Sequence, residues 1–412
     1  MSSPTEAGPG GRAGPGWQEG PPDIADALRD VATRAGTPSY ATDLATLDRA
    51  AGAIRDAFPD PWVSQYSIQA NDVPEIVAEV ASRGFGANVV SRGEWAIARR
   101  AGVPNDRITL EGVGKTDADL RDAVRAAATG RPLAWVAVES ADEAEVLTAL
   151  ARRAGLGRGA RPALDVLVRL NPDVTPETLP VLAVGAGVSK FGMTETEATG
   201  VVEWLRSNAG VSVRPRGVHL HVGSQLGAVD AWRDAVHRGL AVVGLLRGNL
   251  PALLESVPDD RRPTRLAIEP GRALVARAGW LVARVLHVRE RGGRQVVIDA
   301  GLTELIRPAL YGARHPIVAL TTLGRPIPAD ACGPDATDLG LEPTRVEGPI
   351  CESTDALGVH DLPPLRRGDL VAIADTGAYA ASLASTYNGR PRAPQVFIEP
   401  DGTVRLARRA RR

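Results

Sequence analysis

Between residues 62 and 270, short β-rich runs alternate with segments of helical periodicity, and no other feature of the chain constrains its fold as strongly. The runs are WVSQYSIQ (62–69), ANVVS (87–91), RITLEG (107–112), AWVAV (134–138), LDVLVRLN (164–171), GVSKFG (187–192), GVHLHVG (217–223) and RLAIEP (265–270). Amphipathic stretches such as VPEIVAEVASR and DADLRDAVRAAA lie between most of them. Repeated βα units of this kind predict an α/β protein built on a (β/α)8 TIM-like barrel, with an open doubly wound sheet as the alternative.

After residue 275 the texture changes. WLVARVLHVRE, RQVVIDA, DLVAIAD and PQVFIEP are separated by Gly, Pro and Asp turns without regular helices, which predicts a C-terminal, mostly β domain. The extended segment SYATDLATL (39–47) is placed to pair with that sheet. The expected partition is a disordered Gly/Pro-rich tail over 1–37, a barrel over 45–275, and a β domain built from 38–44 and 276–412.

Composition narrows the function classes. The chain has 412 residues, 44% of them hydrophobic and 24% charged, as a globular protein requires. Its 48 basic and 49 acidic side chains nearly cancel, so global charge points to neither a nucleic-acid nor an anionic-membrane partner. The short basic end LARRARR reads as a solvated terminus. Cys332 and Cys351 are the only cysteines, too few for a disulfide framework. The N-terminal stretch lacks the basic start and apolar run of a signal peptide, and no apolar segment reaches spanning length, so a cytoplasmic protein is expected. Of the basic residues only Lys115 and Lys190 are lysines.

A (β/α)8 barrel carries its chemistry at the C-terminal ends of its strands, and here those ends are polar. The first run ends in Gln69-Ala70-Asn71, the second in Asn88 to Ser91, the seventh in His221-Val222-Gly223-Ser224-Gln225, the eighth in Glu269-Pro270-Gly271-Arg272. Together they suit a planar, phosphorylated heteroaromatic ligand: Gly and Ser donate to phosphate, Arg neutralises it, His stacks on the ring, and Glu pairs with a ring nitrogen. Taken singly, Glu269-Pro-Gly-Arg reads equally as a turn with a surface ion pair, and His221 as a core histidine.

The stretches YSIQAN, GFGANVVSRGEW, GVGKT, RLNPDV, GVSKFGM, HLHVGSQ, EPGR, RPALYGA, GPICESTDALG and GAYAASLASTYNGRPR occur in an order that resembles the diaminopimelate/ornithine decarboxylase family, most of all its diaminopimelate branch. That family comprises pyridoxal 5'-phosphate (PLP) enzymes with an alanine-racemase-like barrel and a C-terminal β domain. The resemblance implies that His221 stacks on the pyridine ring, that Gly223, Ser224, Gly271 and Arg272 hold the phosphate with Tyr379, and that Glu269 keeps the ring nitrogen protonated. It also implies that Arg307, Tyr311 and Glu352, with Arg272, bind an amino-acid substrate carrying a distal carboxylate. Cys351 and Glu352 would cross a homodimer interface into the partner's site, where the thiol handles a proton at the reacting carbon. Cys332 has no such setting and reads as inert.

One departure is decisive. Where the family has Lys-Ala-Asn, with the lysine forming the Schiff base to the cofactor, this chain has Gln69. An amide nitrogen is not nucleophilic and forms no imine. Neither Lys115 nor Lys190 holds that position, although Lys115 follows a strand. GVGKT lacks the first glycine of a Walker loop, because position 109 is Thr109. Many relatives carry an acidic residue at the end of the second strand, where this chain has Asn88; losing the lysine cation and a nearby anion together avoids an unpaired buried charge. Three readings of Gln69 follow: a decarboxylase that holds PLP noncovalently, a pseudoenzyme or regulatory subunit that pairs with an active paralogue, or an engineered Lys-to-Gln variant of an ordinary decarboxylase.

Overall fold

A computed structural model describes residues 24–174, 189–223, 235, 265–327 and 339–410. The chain divides into two compact units, one spanning Ala51–Gly271 and the other combining the chain up to Ala50 with Arg272–Arg412.

The first unit is a curled, wholly parallel seven-stranded sheet. Numbering strands along the whole chain, it holds β2 (Trp62–Ser67), β3 (Gly86–Val89), β4 (Ile108–Leu110), β5 (Trp135–Val138), β6 (Leu164–Leu170), β7 (Val213–Leu220) and β8 (Leu266–Ile268), in the order β7-β6-β5-β4-β3-β2-β8. The first and last of these in sequence, β2 and β8, are neighbours, as barrel topology demands. Burial is continuous along GANV of β3 and WVAV of β5, as expected where helices cover one face and the barrel interior the other.

The helices start where the sequence supplies caps. Numbering them likewise from α1 (Ile24–Ala35) and α2 (Leu44–Ala57), the barrel helices are α3 (Pro74–Ser82), α4 (Arg92–Arg100), α5 (Asp117–Ala128), α6 (Ala141–Arg153) and α7 (Glu195–Asn208). Ser91, Thr116, Ser140 and Thr194 each accept from a backbone N–H three residues on, and Thr116 and Thr194 complete capping boxes with Asp119 and Glu197. In α6 the residues Ala144, Leu147, Thr148 and Ala151 form the buried stripe, at the spacing of one helical face.

The second unit is a nine-stranded sheet. Its centre is β9 (Gly279–Glu290), whose twelve residues pair antiparallel with β1 (Ser39–Asp43), β10 (Arg294–Ile298) and β16 (Leu370–Ile373) along successive stretches. Around it lie β11 (Ile317–Ala319), β14 (Glu342–Glu347), β15 (Ala356–Leu362), β17 (Gln395–Ile398) and β18 (Val404–Arg408), while β12 (Thr321–Thr322) and β13 (Arg325–Pro326) form a separate small ribbon. Two short helices, α8 (Arg272–Val275) and α9 (Arg307–Tyr311), complete it. The N-terminal segment does pair with the C-terminal sheet, since β1 lies parallel to β17.

Two expectations are corrected. The tail does not run to residue 37: Ile24–Ala35 is a helix whose Ala27, Leu28, Val31 and Ala32 pack on Ala41, Val282, Leu370 and Val396, an apolar stripe that composition alone obscured. The run GVSKFG is not a strand over 189–192; its continuation Met193 makes one isolated bridge to Leu170, and 187–188 lie outside the described residues. The left-handed Gly192 turns the chain there, where a Cβ would press on the Arg169 carbonyl and the Asn171 amide at 3.1 and 3.0 Å.

Candidate active site

In the barrel unit, the turn that carries Gln69 is stitched to the segment that carries Glu269. Ser67 donates its backbone N–H to the Pro270 carbonyl (3.2 Å) and its hydroxyl to the Glu269 carbonyl (2.9 Å). A Cβ on Gly271 would meet the Cβ atoms of Ser67 and Ala70 at 3.2 Å each, so glycine lets the two backbones approach. Gln69 sits in the 3₁₀ turn Ile68–Ala70 with its side chain exposed between two buried neighbours. Asn71 is buried and accepts from the Val73 amide.

Glu269, just past β8, belongs to a group that sequence reasoning did not assemble. His219 Nε2 lies 3.3 Å from Glu269 Oε2 and 3.3 Å from Glu111 Oε2, and Glu111 and His219 are only 3% and 7% exposed. The side chains of Glu111 and Asn88 also approach Glu269. Burial drives the Glu111 carboxyl up to about 8, with the neighbouring Glu269 charge pushing the same way. Burial would raise Glu269 too, but the His219 charge, with the polar side chains of Glu111 and Asn88 beside it, outweighs that and holds the carboxyl down at about 2. His219 itself is raised: burial opposes its charge, and the two carboxylates overcome that opposition.

His221 stands next along the β7 end. Its surface is exposed, yet it is enclosed by enough protein to lose solvation, the condition of a side chain lining a concave wall. Burial, with the His219 and Arg169 charges, pushes it down to about 4, so it is a neutral ring at physiological pH. Gly223 follows at φ 139°, while Ser224 and Cys332 lie outside the described residues.

The lysines are not arranged as substitutes for residue 69. Lys115, its side chain 1% exposed, pairs with Glu143 at 3.0 Å and donates to the Gly112 carbonyl at 2.5 Å. Lys190 is exposed, with its ammonium 5.4 Å from the Phe191 ring centroid. At the ends of β5 and β6, Arg169 is paired with Glu139 at 2.5 Å, and the other Glu139 oxygen accepts from the Gly192 amide.

The second unit gathers cations. The Arg272 guanidinium lies over the Tyr379 ring, 4.7 Å from its centroid. Arg307 is 6% exposed, and burial followed by the Arg272 charge lowers its pKa. The Nε atoms of both arginines are buried without a hydrogen-bond partner among the described residues. Tyr311 and Tyr379 are near enough to oppose the lowering of both. Tyr379 itself takes a left-handed conformation (φ 57°) in a segment pressed so closely on Ala276–Gly279 that a Cβ at Gly377 would overlap the Val275 carbonyl.

Cys351 and Glu352 lie exposed on a loop between β14 and β15. Asn388 donates to the Cys351 sulfur (3.5 Å), and the Tyr387 hydroxyl donates to Glu352 (2.8 Å). The loop is anchored by a residue that sequence reasoning missed. Asp355, 4% exposed, accepts from the amides of Leu302 (2.6 Å) and Ile350 (2.7 Å), and its carboxylate fills the space that a Cβ on Gly301 or Gly348 would need.

The structure thus brings Glu269 and His221 together with Asn88 in one unit, and Arg272, Arg307, Tyr311 and Tyr379 in the other. Glu111, His219 and Asp355 are the additions. The His219/His221 spacing was the available signal, because alternate residues of a strand share a face.

Residues 44–249 match the family model described as "Pyridoxal-dependent decarboxylase, pyridoxal binding domain". The chain is 32% identical to the diaminopimelate decarboxylase of Aquifex aeolicus over 93% of its own length and 91% of the relative's. It is 36% identical to that of Deinococcus radiodurans over 90% and 92%. Among solved structures, the diaminopimelate decarboxylase of Helicobacter pylori complexed with L-lysine superposes with a TM-score of 0.78 at 27% identity, covering 93% of this chain and 96% of that one.

Proposed function

The chain belongs to the pyridoxal-dependent decarboxylase family, and from that membership we propose that it is a PLP-dependent decarboxylase of a diaminopimelate-like amino acid that holds its cofactor without a covalent tether at residue 69. The observation that carries this reading is Glu269: a carboxylate kept ionised at the end of β8, beside a neutral histidine, is the environment a protonated pyridine ring requires. The glycine at 271, where a side chain would fill the space, and the unpartnered Arg272 Nε fit the remainder of such a group.

His221 would face the ring, Glu269 would hold the proton on its nitrogen, and Gly223, Ser224, Gly271, Arg272 and Tyr379 would take the phosphate. When bound, the protonated cofactor supplies an electron sink for the pair of electrons left as CO2 departs. The protein orients the rest. Arg307, a buried donor fork with an unsatisfied Nε, would bind the distal carboxylate, with Tyr311 beside it and Glu352 accepting from the distal ammonium. Cys351, exposed and bonded only through its sulfur to Asn388 among the described residues, would hand a proton to the reacting carbon of a second copy's site, which makes the working form a homodimer. Cysteine usage and the lack, among the described residues, of a helix long and apolar enough to cross a membrane support a cytoplasmic enzyme.

Gln69 contributes no nucleophile and Lys115 is engaged by Glu143, so neither residue would offer an amine to a bound cofactor. The test is CO2 release from meso-diaminopimelate with added PLP, measured for this protein and for Gln69→Lys. We expect turnover by the protein as it stands and faster turnover by Gln69→Lys. Activity in Gln69→Lys alone would mark the chain as an impaired, regulatory or engineered form of the enzyme. Silence in both, with PLP bound, would overturn the substrate class.

A further inference from the structure

Glu111 stands at the end of β4, in a motif to which no role in the site was assigned, yet it is the carboxyl nearest the charge of Glu269. Three strand ends, β4, β7 and β8, bring Glu111, His219 and Glu269 within 4.8 Å of one another. His219 Nε2 is equidistant from the two carboxylates at 3.3 Å. Neither ring nitrogen of His219 makes a hydrogen bond of good geometry among the described residues, and Glu111 Oε1 is buried without a partner. One oxygen of each carboxyl group lies within 4.8 Å of the other and of the His219 ring, and two carboxylates so close and out of water favour one proton between them.

The surroundings decide which one keeps it. Asn88 of β3 approaches both carboxyl groups and brings no charge. Arg169, a further cation acting on His219, is paired with Glu139, and His221 is neutral. Two ionised carboxylates here would leave an excess negative charge out of water; one proton removes it. Glu111, the more deeply buried of the two, is the cheaper to neutralise, whereas Glu269 at the edge of the group keeps its charge.

We propose that Glu111 is a positioning residue that shares a single proton with Glu269 beside the His219 ring, so that Glu269 meets the ring nitrogen of a bound cofactor as a carboxylate of fixed charge and orientation. The role toward the cofactor rests on the PLP reading above. The proton pair itself does not. A neutral acid donating to Glu269 tightens its orientation, and the same pair buffers the site against a change in the ring's own protonation.

The experiment follows the carboxyl carbons of the cofactor-free protein by NMR between pH 3 and 10, then measures PLP affinity by absorbance for the wild type, Glu111→Gln and Glu111→Ala. One buried carboxyl should titrate well above pH 6, vanish in Glu111→Gln, and leave Glu269 ionised throughout. Glu111→Gln, which mimics the protonated acid, should bind PLP within about threefold of wild type, while Glu111→Ala should lose about tenfold or more and shift the pH dependence of the bound cofactor's absorbance. Ordinary titration of Glu111 below pH 5, or identical affinities for the Gln and Ala variants, would overturn the proposal. So would stoichiometric Zn2+ binding that Glu111→Gln abolishes, because the three groups would then be a cation site. A shared proton in a wild-type protein that does not take up PLP would sink the cofactor reading instead, and with it the role given to Glu269.

Discussion

The two units handle ionisable groups removed from water in opposite ways. The barrel unit balances its buried charges internally: Glu111, His219 and Glu269 share charge and protons, Arg169 pairs with Glu139, and Lys115 with Glu143. Among the described residues, the β unit leaves two cations unbalanced, with Arg272 on an aromatic ring and Arg307 buried beside it, both with an unsatisfied Nε. A self-balanced cluster can present one defined charge to a neutral or cationic ligand atom; an unbalanced cationic pair has affinity to spare for an anion. The first suits a ring nitrogen and the second suits carboxylates and phosphates.

The sharpest break of this contrast is Glu269→Ala, which removes the one charge that the barrel cluster is arranged to present. Turnover with PLP should fall by about 10²–10³-fold, and full activity would remove the basis of the cofactor assignment. Next comes the anchor of the β unit. Asp355→Ala strands two buried amides, those of Leu302 and Ile350, and should cost about 3 kcal/mol in urea unfolding; an unchanged midpoint would show that the Cys351 loop is held by something else. On the cationic side, Arg307→Ala should raise KM for a substrate with a distal carboxylate by about tenfold or more, with a smaller change in kcat, and an unaltered KM would detach Arg307 from the substrate.

The smallest effect is on pH dependence. Burial raises Glu111 from 4.5 to about 8, so in this window the folded state holds a proton that the unfolded state has released. Its contribution to stability is therefore complete below pH 4.5 and declines as pH climbs to 8. Glu269, lowered to about 2, acts with the reverse sign, its contribution being lost as pH falls from 4.5 towards 2. The loss of stability from pH 5 to 8.5, read by thermal unfolding, should be smaller in Glu111→Gln than in the wild type; identical slopes would dissolve the internal balance described for the barrel.

Most of the barrel was readable because helix-capping Ser and Thr residues and uninterrupted apolar runs such as WVAV act locally. The start of β7 was not: Arg214, Pro215 and Arg216 break the alternation, and the strand tolerates them through an irregular register against β6. Glu269 and His221 were legible through motifs, and Gln69 through its departure from one. Glu111 was not, because RITLEG shows only a strand-like run; the strand order from β4 across β3 and β2 to β8 is what brings it to another carboxyl. Asp355 was hidden similarly: a carboxylate that binds backbone amides leaves no signature in the types of its partners.

The stitch between Ser67 and Glu269 also sets a schedule for synthesis. The two residues are 202 positions apart, and β2 completes its second edge only when β8 exists. A nascent chain emerging at about 5–20 residues per second can build α3 to α6 well before the final strand is made. The turn bearing Gln69 therefore waits with one open edge through about half of translation. No shorter nascent product can offer the Glu269 carboxylate to a ligand, so capture of a cofactor is confined to the finished barrel.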